Sequence, residues 1–327
     1  MAPGTIPQEF LDRLRRIVPA ARYDEVVRSF AVPVVTGFRV NTLKAAPEAV
    51  IAELQALGLH LHRVDWKADA FWVAPEERAL LLSAPAYAEQ RLYVQNLASM
   101  VPPLLLAARP GERVLDLAAA PGSKTLQLAC QMQNTGEIAA VEVVKSRFFK
   151  LRANLEAQGA TCVRSFLQDG TKVWRYRPEH FDRVLLDAPC STEGRFRADE
   201  PETYAYWNAR KIREMARKQR RLLYAAVQCL RVGGLLVYST CTFAPEENEA
   251  VLDKTLRQFG DALCLEPIDL ALDNTQPPLA CWQGKAFVHD LSPARRLLPT
   301  PAREGFFVAR VRKVQRTVRL RGPGSDP

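Results

Sequence analysis

The chain has 327 residues, 48% hydrophobic and 25% charged, a globular composition that excludes collagen, coiled coil and wholesale disorder and fits one large domain or two modest ones. Its 45 Lys and Arg against 36 Asp and Glu leave a net charge of +9, which suits a polyanionic partner but also plain solubility. The first residues have no signal-type apolar core, and the longest apolar runs, such as Val101–Ala108 with its two prolines, fall well short of the roughly 20 residues that span a bilayer; the expectation is a cytoplasmic protein without membrane contact.

In chain order, Phe10, Leu11, Leu14, Ile17 and Val18 follow helical spacing until Pro19 stops the run. Phe38–Asn41 reads as a strand, Pro47–Leu57 as a helix closed by Gly58, and Leu59–Trp66 and Ala70–Val73 as two more strands. These form a small α/β module, taken as residues 1–94. A new helix carries Leu97, Met100 and Leu104 to Leu106 before Arg109-Pro-Gly111 breaks it. From Glu112 strands and helices alternate: strands at 113–119, 137–143, 162–167, 181–187 and 235–240, helices from 124, at 145–158, 208–230 and 245–259. That pattern predicts a parallel sheet covered on both faces, within a second domain at 95–316. A stretch at 267–303 holds six of the 23 prolines, and a connection so long is usually functional or mobile. A β-rich run, Glu304–Val314, and a basic, then flexible tail at 317–327 follow.

Seven cysteines at 130, 162, 190, 229, 241, 264 and 281 show no C-x(2 to 4)-C pair, and there are only four histidines, so neither a structural metal nor a disulfide framework is expected. The useful question is which thiols do chemistry. Cys130, Cys162 and Cys229 lie inside apolar patterns and read as packing. Cys190 and Cys241 leave the carboxyl ends of two strands into polar, turn-forming neighbours, where α/β enzymes place ligands.

The segment Val114–Thr125 runs from a buried strand through a small-residue turn into a helix, a geometry that lets backbone approach a nucleotide closely. It is not a P-loop, since Ser123 and Ala118 stand where that motif needs glycine, and G-x-G-x-x-G is absent. A nucleoside ligand without a pyrophosphate fits better. Glu142 ends the second strand 20 residues after Gly122, where a carboxylate accepts both ribose hydroxyls; Asp169 and Asp187 end the third and fourth strands.

Ala118-Ala-Ala-Pro-Gly-Ser-Lys-Thr125, Asp187-Ala-Pro-Cys-Ser191 and Ser239-Thr-Cys-Thr242, with Pro245-Glu-Glu-Asn248 behind the last, resemble the Nol/Nop/Sun family of S-adenosylmethionine-dependent RNA cytosine-C5 methyltransferases, most of all its bacterial RsmF-type branch. Arg39-Val-Asn-Thr-Leu-Lys44, Gln95-Asn-Leu-Ala-Ser-Met100 and Glu304-Gly-Phe-Phe-Val-Ala-Arg310 extend the resemblance over roughly 10–315. It implies a Rossmann-like class I methyltransferase sheet and S-adenosylmethionine as cofactor. It also implies a monomer acting on RNA, ribosomal in preference to transfer RNA. Cys241 would then attack carbon 6 of cytosine, Cys190 would release the product, and Asp187, with a pKa raised by burial, would donate toward N3. The turn Ala118, Ala119, Ala120, Pro121, Gly122, Ser123 and Lys124 would face the methionine end of the cofactor, Glu142 the ribose, Asp169 the adenine amino group, and Lys124 alternatively the substrate. Ser123 stands in place of the more usual second glycine, and the sequence stops short of the C-terminal RNA-binding domain of longer members, which leaves the substrate open. A catalytically silent RNA-binding assembly factor on the same fold is the rival reading, disfavoured by the presence of both thiols and all three acids. A methyltransferase acting on DNA or on another nucleophile remains the other.

Two basic runs could meet RNA. Arg210, Lys211, Arg213, Arg217, Lys218, Arg220 and Arg221 face a single Glu214 and follow Tyr204, Tyr206 and Trp207; this is either a solvated helix face or phosphate contacts with stacking aromatics. Arg310, Arg312, Lys313, Arg316, Arg319 and Arg321 form the second run. The small N-terminal module is a third candidate for RNA contact.

Overall fold

The structure, a computed structural model, describes residues 6–317; Arg319 and Arg321, with the rest of the tail from 318, lie outside the described residues. Helices α1 (Gln8–Ile17) and α2 (Ala20–Ser29) open the chain. Phe10, Leu14 and Ile17 form one apolar stripe of α1, and it buries in a cluster with Phe196, Phe243 and Trp282. These helices therefore pack on loops of the larger domain, not on the small sheet that follows them. That sheet holds β1 (Thr36–Val40), β2 (His62–Arg63), β3 (Ala70–Val73) and β4 (Leu92–Val94), all antiparallel in the order β2-β3-β1-β4. Helix α3 (Pro47–Ala56), with α4 (Arg78–Ser83) and α5 (Pro85–Ala88), covers it through Val50, Leu54 and Leu81 against Phe38, Val40 and Phe71. The strand expected over Leu59–Trp66 shrinks to two residues because turns closed by Lys67 N–H on Val64 O and by Ala70 N–H on Lys67 O cut it short.

The larger domain begins with α6 (Leu97–Leu106), whose first turn is capped by the Asn96 side chain accepting from Ala98 N–H at 2.9 Å. Then come β5 (Arg113–Asp116), α7 (Ser123–Gln131), β6 (Glu137–Glu142), α8 (Lys145–Ala157), β7 (Val163–Leu167), β8 (Phe181–Asp187), α9 (Ala209–Cys229), β9 (Leu230–Thr240) and α10 (Glu249–Phe259). The five strands are parallel in the order β7-β6-β5-β8-β9. Alternate residues serve opposite faces, as the pleat demands. Leu115, Val184, Leu186 and Leu236 pack with Leu222, Leu223 and Val251 of α9 and α10, whereas Val114, Leu185, Leu235 and Val237 pack with Val101, Leu126 and Leu128 of α6 and α7. The expected parallel sheet covered on both faces is the one observed. No helix among the described residues is long and apolar enough to cross a membrane.

The proline-rich stretch is more ordered than its composition suggests. After β10 (Leu263–Glu266) come β11 (Thr275–Gln276), a hairpin of β12 (Cys281–Trp282) and β13 (Lys285–Ala286), and β14 (Arg295–Leu297). Strand β15 (Phe306–Lys313) lies antiparallel beside β9, and β10 and β14 pair along its other edge. Pro277 directly follows β11, and Pro293 and Pro299 flank β14, keeping those pieces to two and three residues, since proline cannot donate to a ladder. The chain runs β5-β6-β7 toward one edge and β8-β9 toward the other, so the order reverses between β5 and β8. Ligands of open α/β sheets sit in the crevice outside the strand ends at that point.

Candidate active site

A cavity of about 540 Å³ occupies that crevice. The 118–124 turn, Glu142, Asp169, Asp187, Cys190 and Cys241 all line it, although they come from five strand ends spread over more than 120 positions of sequence. Gly122 makes the turn possible: its φ of +108° is a left-handed value that other residues rarely adopt, and it places α7 directly behind.

At one end of the cavity, Glu142 is 3% exposed and accepts from Val144 N–H at 2.8 Å, with Arg147 Nη1 3.5 Å away. Arg147 also donates to Ala120 O at 2.6 Å, tying the turn to the acid. Asp169 caps the short 3-10 turn Gly170–Arg175. Burial works against its charge, but hydrogen bonds from Thr171 and the charges of Lys172 and Arg221 hold it below the ordinary carboxylate range. Asp116, which ends β5, meets the same strand-end criterion as Glu142, Asp169 and Asp187. It is 1% exposed, lines the cavity, accepts from Thr125 Oγ1 at 2.7 Å, and has one oxygen with no partner. Burial, more than its Asp187 neighbour, pushes its pKa up to about 6. An orphaned buried carboxylate oxygen in a cavity wall is a place for a ligand's cationic or hydrogen-donating group, so the residues present fit a charged nucleoside such as S-adenosylmethionine.

Lys124 stands between the two ends. Its ammonium pairs with Asp187 Oδ2 at 2.6 Å and donates to Ser99 Oγ at 2.6 Å, above the Phe306 ring. Ser239 donates to the other Asp187 oxygen at 2.8 Å. Asp187 was expected to be an acid secluded by burial, but its side chain is 28% exposed and salt-bridged. The Lys124 ammonium that Asp187 holds is a second hydrogen-bond donor at this point.

Beyond Asp187 the two thiols meet, with Cys190 Sγ 3.3 Å from Cys241 Sγ. Parallel pairing of Asp187 with Ser239 brings the two loops level, and Gly194 lets a third loop close on them. A side chain at Gly194 would run into Gly305 backbone, while its N–H donates to Cys241 O at 2.9 Å. The acidities diverge. The hydrogen bond from Cys190, and then the charge of Arg195, hold the Cys241 thiol below its ordinary range against the cost of burial. Sharing its proton with Cys241, together with burial, raises Cys190 well above.

Below the thiols lies a buried polar chain that the sequence did not reveal. Ser191 Oγ and Thr242 Oγ1, each one residue past a cysteine, are 2.8 Å apart. Thr242 Oγ1 also meets Glu193 Oε2 at 2.9 Å, and Ser191 Oγ meets Glu247 Oε1. Three contacts share only two hydroxyl hydrogens, so one carboxyl must supply the third. Glu193 already accepts from Phe243 N–H and Trp207 Nε1. Glu247 takes Ser191 N–H and Gln219 Nε2 on its other oxygen, leaving Oε1 free to carry the proton. Burial pushes Glu247 up to about 8, in accord.

Other segments find structural roles. Arg39, fully buried, donates to Gln95 Oε1 at 3.0 Å and to Ser123 O at 3.2 Å, and so fastens the small sheet to the 118–124 turn. Asn41 likewise donates to Gln158 O at 2.8 Å. Tyr204 is buried and Trp207 bonds Glu193, so of the three aromatics before α9 only Tyr206, 85% exposed, faces solvent freely.

Comparison with known proteins matches residues 103–312 to the family described as 16S rRNA methyltransferase RsmB/F, and residues 6–97 to the N-terminal domain of 16S rRNA methyltransferase RsmF. The ribosomal RNA small subunit methyltransferase F of Vibrio vulnificus is 37% identical over 314 residues, covering 94% of this chain and 64% of that protein. The namesake from Pectobacterium carotovorum is 37% identical over 328 residues, covering 98% and 66%. The chain thus spans just under two thirds of the length of these relatives. Among solved structures, a methyltransferase homolog from Pyrococcus horikoshii superimposes with a TM-score of 0.78 at 32% identity, covering 94% of this chain and all of that one.

Proposed function

The chain belongs to the RsmB/F family of methyltransferases, and from that premise we propose that it methylates carbon 5 of a cytosine in RNA, small-subunit ribosomal RNA in preference to transfer RNA. One observation carries the reading: two thiols 3.3 Å apart with opposed acidities share a cavity with a nucleoside-binding turn. The 118–124 turn, Asp116, Glu142 and Asp169 would hold S-adenosylmethionine, which would supply an electrophilic methyl group.

Carbon 5 of cytosine is a poor nucleophile until a thiolate adds to carbon 6. Cys241 is the thiol held ready to do so, the loss of its proton favoured by the Cys190 S–H and by the charge of Arg195. As the Cys241–carbon 6 bond forms, electrons move into the ring. Lys124, seated on Asp187, delivers a hydrogen bond or proton where charge develops. Once Cys241 is a neutral thioether, the main cause of the raised Cys190 pKa is gone, and Cys190 gives up its proton to solvent. As a thiolate it can then take the carbon 5 proton as the electrons return, carbon 6–sulfur cleaves, and Cys241 leaves as thiolate. A paired base would first have to be extruded, so a single-stranded or loop cytosine is the cheaper target. The test is incubation with 5-fluorocytosine RNA and cofactor: a denaturation-resistant adduct through Cys241 is expected, and adduct with the matching DNA but not RNA would overturn the substrate.

A further inference from the structure

We propose that the exposed face of α9, with the groove it forms against the Gly170–Arg175 turn, is the track for the phosphates of the RNA strand flanking the target base. The proposal rests on the RNA reading and adds its location. The second basic run is less suited, because each of its members among the described residues already shares a carboxylate partner. Arg310 and Arg312 pair with Glu266, and Lys313 and Arg316 pair with Glu179. On α9 only Lys211 has a carboxylate partner, Glu214, among the described residues. Arg210, Arg213, Arg217, Lys218 and Arg221 are exposed and recur on one side of the helix at spacings of three and four.

This stripe leads to the cavity. Lys218 lines the cavity wall, and the helix begins at Ala209, so at 1.5 Å per residue its first half extends about 14 Å beyond that point. Helix α9 precedes β9, which is parallel to β8, so this half lies on the side of the strand ends where substrate must approach. Where the cavity stops the groove begins: Gly170 and Lys218 line the one, Thr171 and Arg217 the other. The groove, about 490 Å³, has Lys172, Arg175, Arg217, Arg220 and Arg221 on its walls and no carboxylate. Cations with no salt-bridge partner among the described residues, arranged along two walls that open into a base-sized cavity, fit a polyphosphate strand.

The test is the salt dependence of binding, read by fluorescence anisotropy with a labelled single-stranded cytosine-containing RNA. Each phosphate contact on a single strand contributes a slope of about −0.7 to log K against log salt. Replacing Arg210, Arg213 and Arg217 together by Gln is expected to flatten the slope by about 2, and Arg175→Gln, on the other wall, by about 0.7. Replacing Lys145, Lys150 and Arg152 of α8 by Gln is expected to leave it within about 0.5 of the parent, a smaller change than one contact. Methylation by the α9 variant should show a raised KM for RNA with kcat retained. Unchanged thermal midpoints identify variants that fold. If the α9 and Arg175 variants keep the parent slope, or the α8 variant loses as much, the track is wrong while the RNA reading stands. A parent protein that binds no RNA at low salt overturns both.

Discussion

Cys190 and Cys241 stand in settings that are nearly interchangeable on paper. Each leaves a strand of the same parallel sheet, each is followed by a hydroxyl residue, and those hydroxyls hydrogen-bond to each other. Yet Cys241 faces the Arg195 guanidinium and accepts a hydrogen bond from its neighbour, while Cys190 gives that bond and has Glu247 nearby. Residue type therefore does not decide role here. The hydrogen bond between the two thiols does, biased by the Arg195 charge beside Cys241, by moving two identical groups in opposite directions, which is how one site can hold an attacking thiolate beside a proton-bearing thiol.

The comparison breaks most sharply by deleting each thiol. Cys241→Ala should bind cofactor and RNA but form no adduct and no product, a loss of turnover of at least about a thousandfold. Cys190→Ala should attack and methylate but fail to release, so a protein–RNA conjugate surviving denaturing electrophoresis should accumulate with ordinary cytosine RNA. Exchanged phenotypes would make Cys190 the nucleophile. Retained turnover in both variants would end the covalent mechanism.

A gentler change isolates the charge. Arg195→Gln removes the cation that favours the Cys241 thiolate, and because that side chain is half exposed the effect should be moderate. The acid limb of kcat/KM should move to higher pH by about one unit, with about tenfold less activity at neutral pH. A pH profile that stays in place would leave the Cys190 hydrogen bond as the sole cause of the divergence.

What could be read from sequence follows from range. The parallel strands, the 118–124 turn and the acids at strand ends are local patterns of apolar runs and small residues, so they could be placed, and Asp116 could have been placed by the same rule. The proline-rich strands could not, since pieces of two or three residues exist only through the partners that the fold brings to them: β15 for β14, β14 for β11, and β12 and β13 for each other. The Arg39 segment has the look of a surface motif, and only the packed structure shows it buried against Ser123. The Ser191–Thr242–Glu193–Glu247 chain is likewise invisible, because its members lie about fifty residues apart and meet through the β8–β9 pairing.

That chain permits a sharper test of the platform both thiols share. Glu247→Gln keeps an acceptor for Ser191 N–H and Gln219 and can donate to Ser191 Oγ in place of the carboxyl proton, so it should fold and turn over close to the parent. Glu247→Ala strips acceptors from buried donors and should cost about 1–3 kcal/mol of stability. Acidity supplies the discriminating measurement. The folded pKa of about 8 lies above the ordinary 4.5, so the stability linked to this group is full below pH 4.5 and is lost as pH rises through 8. Thermal midpoints of the parent should decline across that window more than those of Glu247→Gln. Parallel declines would place the extra proton on Glu193 instead.

The smallest expected effect lies at the opposite end of the cavity, at carboxylates with no hydrogen bond to either thiol, and it tests whether the asymmetry of the cysteines is independent of cofactor binding. S-adenosylmethionine should raise the thermal midpoint, because a ligand of the native state stabilises it by mass action, by about 2.7 kcal/mol at a hundredfold excess over Kd. Glu142→Ala and Asp169→Ala should each weaken binding about tenfold and so remove about 1.4 kcal/mol of that gain. Glu142 is the more demanding position, since it is buried and also anchors Val144 N–H and Arg147; the ligand-free midpoint of that variant must be compared first. If both variants keep the parent's ligand-induced shift, the nucleoside lies elsewhere in the cavity. If they lose the shift while Cys241 reacts with a thiol reagent at lower pH than Cys190, as in the parent, the divergence of the two cysteines belongs to the protein alone and is in place before cofactor arrives.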